Sequence, residues 1–143
     1  MYTITNTPPF YRMDGAILEY HVLGFYTSAK KDSSIGIRKC LEESRQITGT
    51  PYLNLLRANG YICRYSEVAD GTYGTDVFVL CSKTKKIMRV DVTNNPNKEY
   101  SGSVFVLKPW ENDTWVSLYE RTIGAMNEYG RTMEEAERMW EQW

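Results

Sequence analysis

The histidine and cysteine residues of this chain are too few and too widely spaced for the common catalytic arrangements. His21 is the only histidine, which excludes a two-histidine phosphoesterase and a histidine-rich zinc site. The three cysteines (Cys40, Cys63 and Cys81) form no CxxC pair. Nothing in their spacing places one beside the histidine as a nucleophile with its base. No glycine-rich segment leads into the Gly-Lys-Ser/Thr of a phosphate loop. We therefore expect no cofactor and no bound metal.

Two aspartates are the remaining candidates for chemistry, in the segment GTDVFVLCSKTKKIMRVDVTN. Asp76 opens one predicted strand and Asp91 lies in the next, after a helix, a Gly-Tyr step and an earlier strand. This order resembles the PD-(D/E)xK nucleases and the Holliday-junction resolvases, in which two carboxylates bind Mg²⁺ and a lysine orients or activates the water. The resemblance implies that Asp76 and Asp91 are the metal-binding carboxylates. Thr93 stands where the lysine belongs, which implies a degenerate relative.

The pairing register of the two strands decides whether these carboxylates can share an ion. Side chains alternate between the faces of a sheet, so an even number of loop residues at 82–85 would place Asp76 and Asp91 on one face. A loop of three residues would place them on opposite faces. The odd register matches the apolar residues of the two strands better, so we expect opposite faces and no shared metal.

Hydrophobic periodicity and turn residues predict one α+β domain spanning residues 1–143. It has N-terminal helices, a mainly antiparallel four-stranded sheet and two C-terminal helices. Expected helices cover residues 16–31, 35–44, 51–59, 114–129 and 133–142, and expected strands cover residues 61–67, 75–82, 86–93 and 103–109. In the third strand, apolar residues alternate with Arg89, Asp91 and Thr93, which predicts one buried and one solvent-exposed face.

The first half of the chain resembles a winged helix-turn-helix domain. Residues 16–82 give the order helix, helix, linker, short helix and hairpin, and AILEYHVLGF is similar to the opening helix of PadR-like regulators. The residues that match the usual ending of a recognition helix feeding a wing are Leu53, Leu56, Gly60 and Ile62. The resemblance implies that residues 48–57 lie in a major groove and that the 67–75 loop touches a neighbouring groove or the backbone. Residues 83–109 would then add strands, and residues 110–143 the C-terminal helices.

The short helix departs from this pattern in two ways. It follows the linker RQITGT, and Pro51 shortens it where base contacts should begin. Arg57 is its only charge, whereas base readout relies on Arg, Lys, Asn and Gln. Thr48 and Asn54 could add contacts. A helical subdomain that merely packs would give the same pattern, and this alternative stays open.

Charge is segregated along the chain, although the net charge is only −1. Residues 29–64 hold seven basic and three acidic groups, and residues 110–143 hold eight acidic and three basic groups. A basic body with an acidic tail is typical of a polyanion binder, although ordinary solvated faces would look alike. The candidate nucleic-acid-binding residues are Lys30, Lys31, Arg38, Lys39, Arg45, Thr48, Asn54, Arg57, Lys83, Lys85, Lys86 and Arg89.

The acidic C-terminal region also contains all four tryptophans. An acidic helix bearing tryptophan can close over its own sheet, pair with a twin or dock on a basic partner, where aromatic anchors carry much of the binding energy. The last helix is marginal alone in water, so its apolar stripe must pack on something. Because Trp143 is followed by a free carboxylate, we expect a homodimer with Trp115, Trp140 and Trp143 at the partner interface.

Three functions fit these patterns. The first is a small non-enzymatic binding or regulatory protein, winged-helix-like, that contacts nucleic acid or a nucleic-acid-handling protein. The second is a degenerate PD-(D/E)xK nuclease-like protein. The third is a phage-type inhibitor that binds a host protein. With no signal peptide, no apolar run of spanning length and unpaired cysteines, we expect a cytoplasmic location and no membrane partner.

The absence of a catalytic set predicts that the chain has no hydrolase activity. There is no lysine near Asp91, no second histidine and no paired nucleophile. Incubation of labelled DNA and RNA with Mg²⁺ or Mn²⁺ should leave both intact. Metal-dependent cleavage that is abolished by Asp76→Ala or Asp91→Ala would contradict this expectation.

Overall fold

The structure is a computed structural model that describes residues 15–25, 36–66, 75–93, 104–109 and 112–140. The helices are α1 (Gly15–Leu23), α2 (Ile37–Glu43), α3 (Pro51–Ala58), α4 (Trp115–Tyr129) and α5 (Met133–Trp140). The strands are β1 (Arg45–Gln46), β2 (Tyr61–Tyr65), β3 (Val77–Cys81), β4 (Ile87–Val92) and β5 (Val104–Leu107). The predictions that fall outside the described residues concern Lys30, Lys31, Trp143 and most of the 67–75 loop.

The strands form one mixed sheet in the order β1-β2-β3-β4-β5. Neighbours from β1 to β4 run antiparallel, whereas β4 and β5 run parallel. The predicted α+β class is therefore confirmed, and the predicted four-stranded, mainly antiparallel sheet is corrected to a mixed sheet of five strands. The additional strand is β1, which pairs with the end of β2. It lies in the segment RQITGT, which was expected to be a linker.

Alternation along β3 and β4 sends their side chains into two separate cores. On the first face of the sheet, Val79 and Met88 pack with buried residues of α1, α3 and α4. On the second face, Phe78 and Ile87 pack with buried residues of α2 and α5. Because helices cover both faces, side chains available for contact lie mainly at the ends and edges of the sheet.

Capping residues define the limits of the helices. Thr50 accepts a hydrogen bond from a backbone N–H in the first turn of α3, where Pro51 occupies the first position, as predicted. Gly60 follows the helix with a φ of +87°, a left-handed conformation that favours glycine. Thr132 and Glu135 form the predicted capping box of α5, with reciprocal bonds of 3.0 and 3.2 Å. These local signals explain why α3 and α5 begin at the predicted residues. Helix α2 begins at Ile37, two residues after the predicted start, and its N-cap Gly36 makes no side-chain capping bond.

Strand β4 is buried along its whole length, so the predicted solvent-exposed face is wrong. Arg89 is 0% exposed, Asp91 4% and Thr93 8%. The covering element is α5, whose Trp140 ring centroid lies 4.5 Å from the guanidinium carbon of Arg89. The same ring stacks on Phe78 with centroids 6.2 Å apart. Arg89, predicted to bind nucleic acid at the hairpin tip, is therefore a core residue that makes a cation–π contact.

Both tryptophans whose surroundings are described belong to the cores of this chain. Trp115 lies in the first-face core and Trp140 in the second-face core, and each is 0% exposed. Full burial within one chain leaves neither ring for the partner interface that the sequence predicts, because the chain's own sheet covers them. Trp143 lies outside the described residues, and the homodimer stays a prediction.

Thr50 joins α3 to α1 through two hydrogen bonds. Its hydroxyl donates to the Val22 carbonyl at 2.7 Å and accepts from the Leu53 N–H at 3.2 Å. Thr50→Val keeps the volume but leaves both backbone groups unpaired, so the free energy of unfolding should fall by roughly 2 kcal/mol. Thr48→Val, the same change at an exposed position, should alter it by less than about 0.5 kcal/mol. Urea denaturation compares the two, and equal losses would contradict the linking role of Thr50.

Candidate nucleic-acid interface

The loop between β3 and β4 displays the predicted basic tip. Counted between the hydrogen-bonded residues Cys81 and Lys86, it has four residues, 82–85. It is closed by bonds from the Cys81 N–H to the Lys86 carbonyl (2.8 Å) and from the Lys85 N–H to the Cys81 carbonyl (2.9 Å). Lys85, the last loop residue, has a left-handed φ of +60°. Lys83 and Lys85 are exposed and Lys86 is half-buried. The turn thus directs two ammonium groups into solvent.

The same loop adjoins the C-terminal end of α3. Ser82 donates two hydrogen bonds to the Gly60 carbonyl, from its N–H at 3.0 Å and from its hydroxyl at 2.7 Å. Arg57, which is exposed in the last turn of α3, therefore lies at the same end of the sheet as the lysines. The basic edge, as we term this surface, consists of Arg57, Lys83, Lys85 and Lys86.

Helix α3 presents a polar side to solvent beside this edge. Tyr52, Leu53 and Leu56 are buried in the first-face core, which leaves the opposite side of the helix outside. Asn54 and Arg57 are three residues apart on that side, and both are exposed. The structure thus brings two of the predicted contact residues together on one helix.

The Cys81 thiol reports on the electrostatics of the turn. Burial acts to raise its pKa, but the side-chain and backbone hydrogen bonds of Thr84, a backbone bond of Lys83 and the Lys83 charge outweigh burial and lower the pKa below its usual range. Burial alone raises the pKa of Cys63 to about 12. The donors and the charge of this turn therefore favour an anionic group beside them.

A cleft lies at the other end of β2, beside β1. It encloses about 270 Å³ and is lined by Phe25, Arg45, Gln46, Ile47, Thr48 and Tyr65. The rings of Phe25 and Tyr65 meet edge to face with centroids 4.6 Å apart. The Arg45 guanidinium carbon lies 5.7 Å from the Tyr65 centroid. Two predicted contact residues, Arg45 and Thr48, therefore share a concave site that contains aromatic rings.

Two other predicted basic residues lie away from both sites, on α2. Arg38 forms an ion pair of 2.7 Å with Glu137 of α5, and Lys39 is exposed next to it. Because α2 packs on the second face, these side chains do not extend the basic edge around α3. The charge of Arg38 is also partly offset by its partner.

The register of β3 and β4 differs from the expected one. The loop has four residues, and Val77 pairs with Val90 and Leu80 with Ile87. The predicted odd register is therefore wrong, because an even number of residues separates the two members of each pair. The paired residues end at Val77 and Val90, one position short of the two aspartates.

The carboxylate of Asp76 is used within the sheet. The Asp76 N–H bonds to the carbonyl of Val90, the residue that pairs with Val77, so two residues oppose one as in a β-bulge. Asp76 Oδ2 accepts a hydrogen bond of 2.8 Å from the Val92 N–H. Asp76 is 1% exposed and Asp91 4%. Among the described residues, no three histidine, cysteine or acidic side chains form a group that could hold a metal ion.

Comparison with protein-family models, with curated proteins and with solved structures gives no match for this chain. Within the described ranges, none of the helices has the length and apolar character needed to cross a bilayer.

Sequence reasoning missed the aromatic part of the cleft. Phe25 follows α1 and Tyr65 ends β2, and neither position carries a local signal for a shared site. The only available sign was the polar composition of the segment 45–50 beside two aromatic-containing elements. Pairing of β1 with β2 is what closes the cleft, and it depends on backbone contacts between distant segments.

The electrostatics of the turn predict selective alkylation of Cys81. At pH 8, iodoacetamide should modify it on the order of tenfold faster than the buried Cys40 and Cys63, because its lowered pKa places more of the thiol in the reactive thiolate form. Thr84→Val removes a hydrogen bond to the sulfur and should move the pH–rate profile to higher pH. Ser82→Ala, whose hydroxyl bonds Gly60 instead, is the control. Intact-mass analysis follows the alkylation. Identical pH–rate profiles in the two variants would contradict the assignment of the lowered Cys81 pKa to Thr84.

Proposed function

We propose that this chain is a small, non-enzymatic protein that binds nucleic acid through the basic edge and the exposed side of α3. The observation that carries the proposal is the pair of hydrogen bonds from Ser82 to the Gly60 carbonyl. These bonds join Arg57 to the lysine hairpin, so cations from two separate segments form one surface. Contacts of lysine and arginine with phosphates supply the sequence-independent part of nucleic-acid affinity.

The arrangement of charges supports the proposal. Lys83 and Lys85 project from a tight turn and Arg57 from the adjacent helix end, all exposed. Lys86 lies near Glu135, whose pKa is lowered chiefly by its hydrogen bonds with Thr132 and to a smaller extent by the nearby cations. Lys83, Lys85 and Arg57 are therefore the principal phosphate contacts, with Lys86 partly engaged by an acidic neighbour.

The proposal rests on this surface rather than on helix-turn-helix docking. In a helix-turn-helix the second helix enters the major groove while the first crosses the backbone beside it. Here α2 packs on the second face of the sheet and α3 on the first face. With only eight residues, α3 offers Asn54 and Arg57 to a ligand. Phosphate contacts at the helix end are favoured over base readout along its length.

A degenerate nuclease-like protein is the second candidate function. The observation that favours it is the hydrogen bond from the Val92 N–H to Asp76 Oδ2, which holds the Asp76 carboxylate against β4, the strand that carries Asp91. The use of Asp76 Oδ2 by the Val92 N–H and the threonine at position 93 both favour a protein that retains nucleic-acid affinity without cleavage. A degenerate nuclease-like protein would contact nucleic acid through the same basic edge. The two candidate functions therefore differ only in the ancestry of the fold.

Salt dependence tests the proposed interface. Affinity for a labelled duplex should fall as salt rises, with a log–log slope of roughly 0.9 for each phosphate neutralised. In Lys83→Glu/Lys85→Glu the slope should flatten by about 2 and the affinity should fall at low salt, because two phosphate contacts are lost. Fluorescence anisotropy across a salt series measures both quantities.

Arg138→Glu is the control, since it reverses an exposed charge on α5 that is not part of the basic edge. It should leave the slope close to that of the wild type. If the double reversal and the control behave alike, the basic edge is not the interface. Absence of binding even at low salt would refute the proposed function and leave a protein partner as the better explanation.

A further inference from the structure

We infer that the cleft beside β1 binds one unpaired nucleobase, so that the nucleic acid recognised contains a single-stranded segment. This inference rests on the proposed function and deepens it. The cleft is lined by Phe25, Arg45, Gln46, Ile47, Thr48 and Tyr65, and it lies at the opposite end of β2 from the basic edge. It combines the two features that recognise a base, which are flat π-systems and polar groups at their rim.

Two aromatic rings in contact form the apolar part of the cleft. Tyr65 is only 5% exposed and forms the floor, and the half-buried Phe25 ring meets it edge to face at 4.6 Å. The exposed Arg45 side chain lies over the Tyr65 ring at 5.7 Å, which holds its planar guanidinium beside the cavity. Bases stack on aromatic rings and on arginine planes alike, so a base in this cleft would stack on the half-buried Phe25 ring or on the exposed Arg45 guanidinium.

The strand beside the cleft supplies polar groups. Ile47 donates its N–H to the Cys63 carbonyl at 2.8 Å, which makes these two residues a hydrogen-bonded pair of the ladder. In an antiparallel pair the next residue turns its main-chain groups outward, so the N–H and C=O of Gln46 face away from β2. Gln46 and Thr48 also line the cleft, and both residues are exposed. Donors and acceptors therefore lie where the hydrogen-bonding edge of a base would be.

The size and place of the cleft fit one nucleotide of a strand that also meets the basic edge. Its volume of about 270 Å³ lies just below the range of roughly 300–1,000 Å³ for drug-sized ligands, which suits a single planar group. The eight residues of α3 separate the two sites by roughly 12 Å along the helix axis. A stacked strand advances about 3.4 Å per nucleotide, so three to four nucleotides bridge the distance.

The test compares a short labelled oligodeoxyadenylate with a duplex of the same length, using the intact chain. Phe25→Leu keeps an apolar side chain but removes the ring, and should weaken single-strand binding about tenfold while leaving duplex binding unchanged. Phe105→Leu is the matched control, because Phe105 makes a similar ring pair with Tyr129 elsewhere in the first-face core. Should Phe25→Leu fail to fold, Arg45→Lys serves instead, since it keeps the charge and loses the planar group.

A second measurement follows the ring protons of Phe25 and Tyr65 by NMR during titration with AMP and with the oligonucleotide. Shifts with both ligands support a base site that accepts a free nucleotide or a strand, and shifts with the oligonucleotide alone support a site that requires a strand. Unchanged shifts with both, or equal ratios of single-strand to duplex affinity for Phe25→Leu and Phe105→Leu, would overturn the inference. If the inference fails in this way, the proposed function still holds provided that duplex binding is salt-sensitive and is lost in Lys83→Glu/Lys85→Glu. If the chain binds neither the duplex nor the single strand, both the inference and the proposed function are wrong.

Discussion

The burial of β4 on both faces is the constraint on which the rest of the structure depends. The strand lies between β3 and β5, and every one of its residues is buried. Arg89 must therefore be accommodated away from water, and its guanidinium rests against the Trp140 ring at 4.5 Å. A charge in a core is tolerated only where such favourable contacts offset its lost hydration. This requirement ties α5 to the second face, where the Arg38–Glu137 ion pair also links α2 to α5.

Coverage of both faces determines where the chain can meet a ligand. Side chains that point up or down from the central strands are committed to the two cores. Contact groups are therefore concentrated where helices end or strands begin, as at the hairpin loop 82–85 and beside β1. The basic edge exists because Ser82 bonds the Gly60 carbonyl, and the cleft exists because β1 pairs with β2. Each of the two surfaces therefore depends on one set of hydrogen bonds between separate segments of the chain.

The two aspartates show how a residue type can suggest catalysis and serve architecture. Asp76 immediately precedes β3, which begins at Val77. Its carboxylate accepts a hydrogen bond from the Val92 N–H, which lies beyond the part of β4 that pairs with β3. A buried carboxylate that accepts a backbone N–H is already engaged, which is the physical reason to assign Asp76 a structural role. The hydrolytic chemistry implied by the nuclease resemblance also needs a lysine, and position 93 is a threonine.

The sequence by itself determined the local elements of this protein. Thr50, Pro51 and Gly60 bound α3, and Thr132 with Glu135 starts α5, because caps and turns act over a few adjacent residues. The exposure of the lysine side chains in the hairpin loop could also be predicted from the sequence, because a tight polar turn must face solvent.

Only the tertiary structure decided which strand faces are covered and which distant residues meet. A period of two shows that β4 has two faces, but not that α5 covers the second, so Arg89 was placed at the surface in error. The pairing of Phe25 with Tyr65 likewise has no local signature. Such contacts depend on the packing of whole surfaces from separate segments, and neighbouring residues alone do not encode that packing.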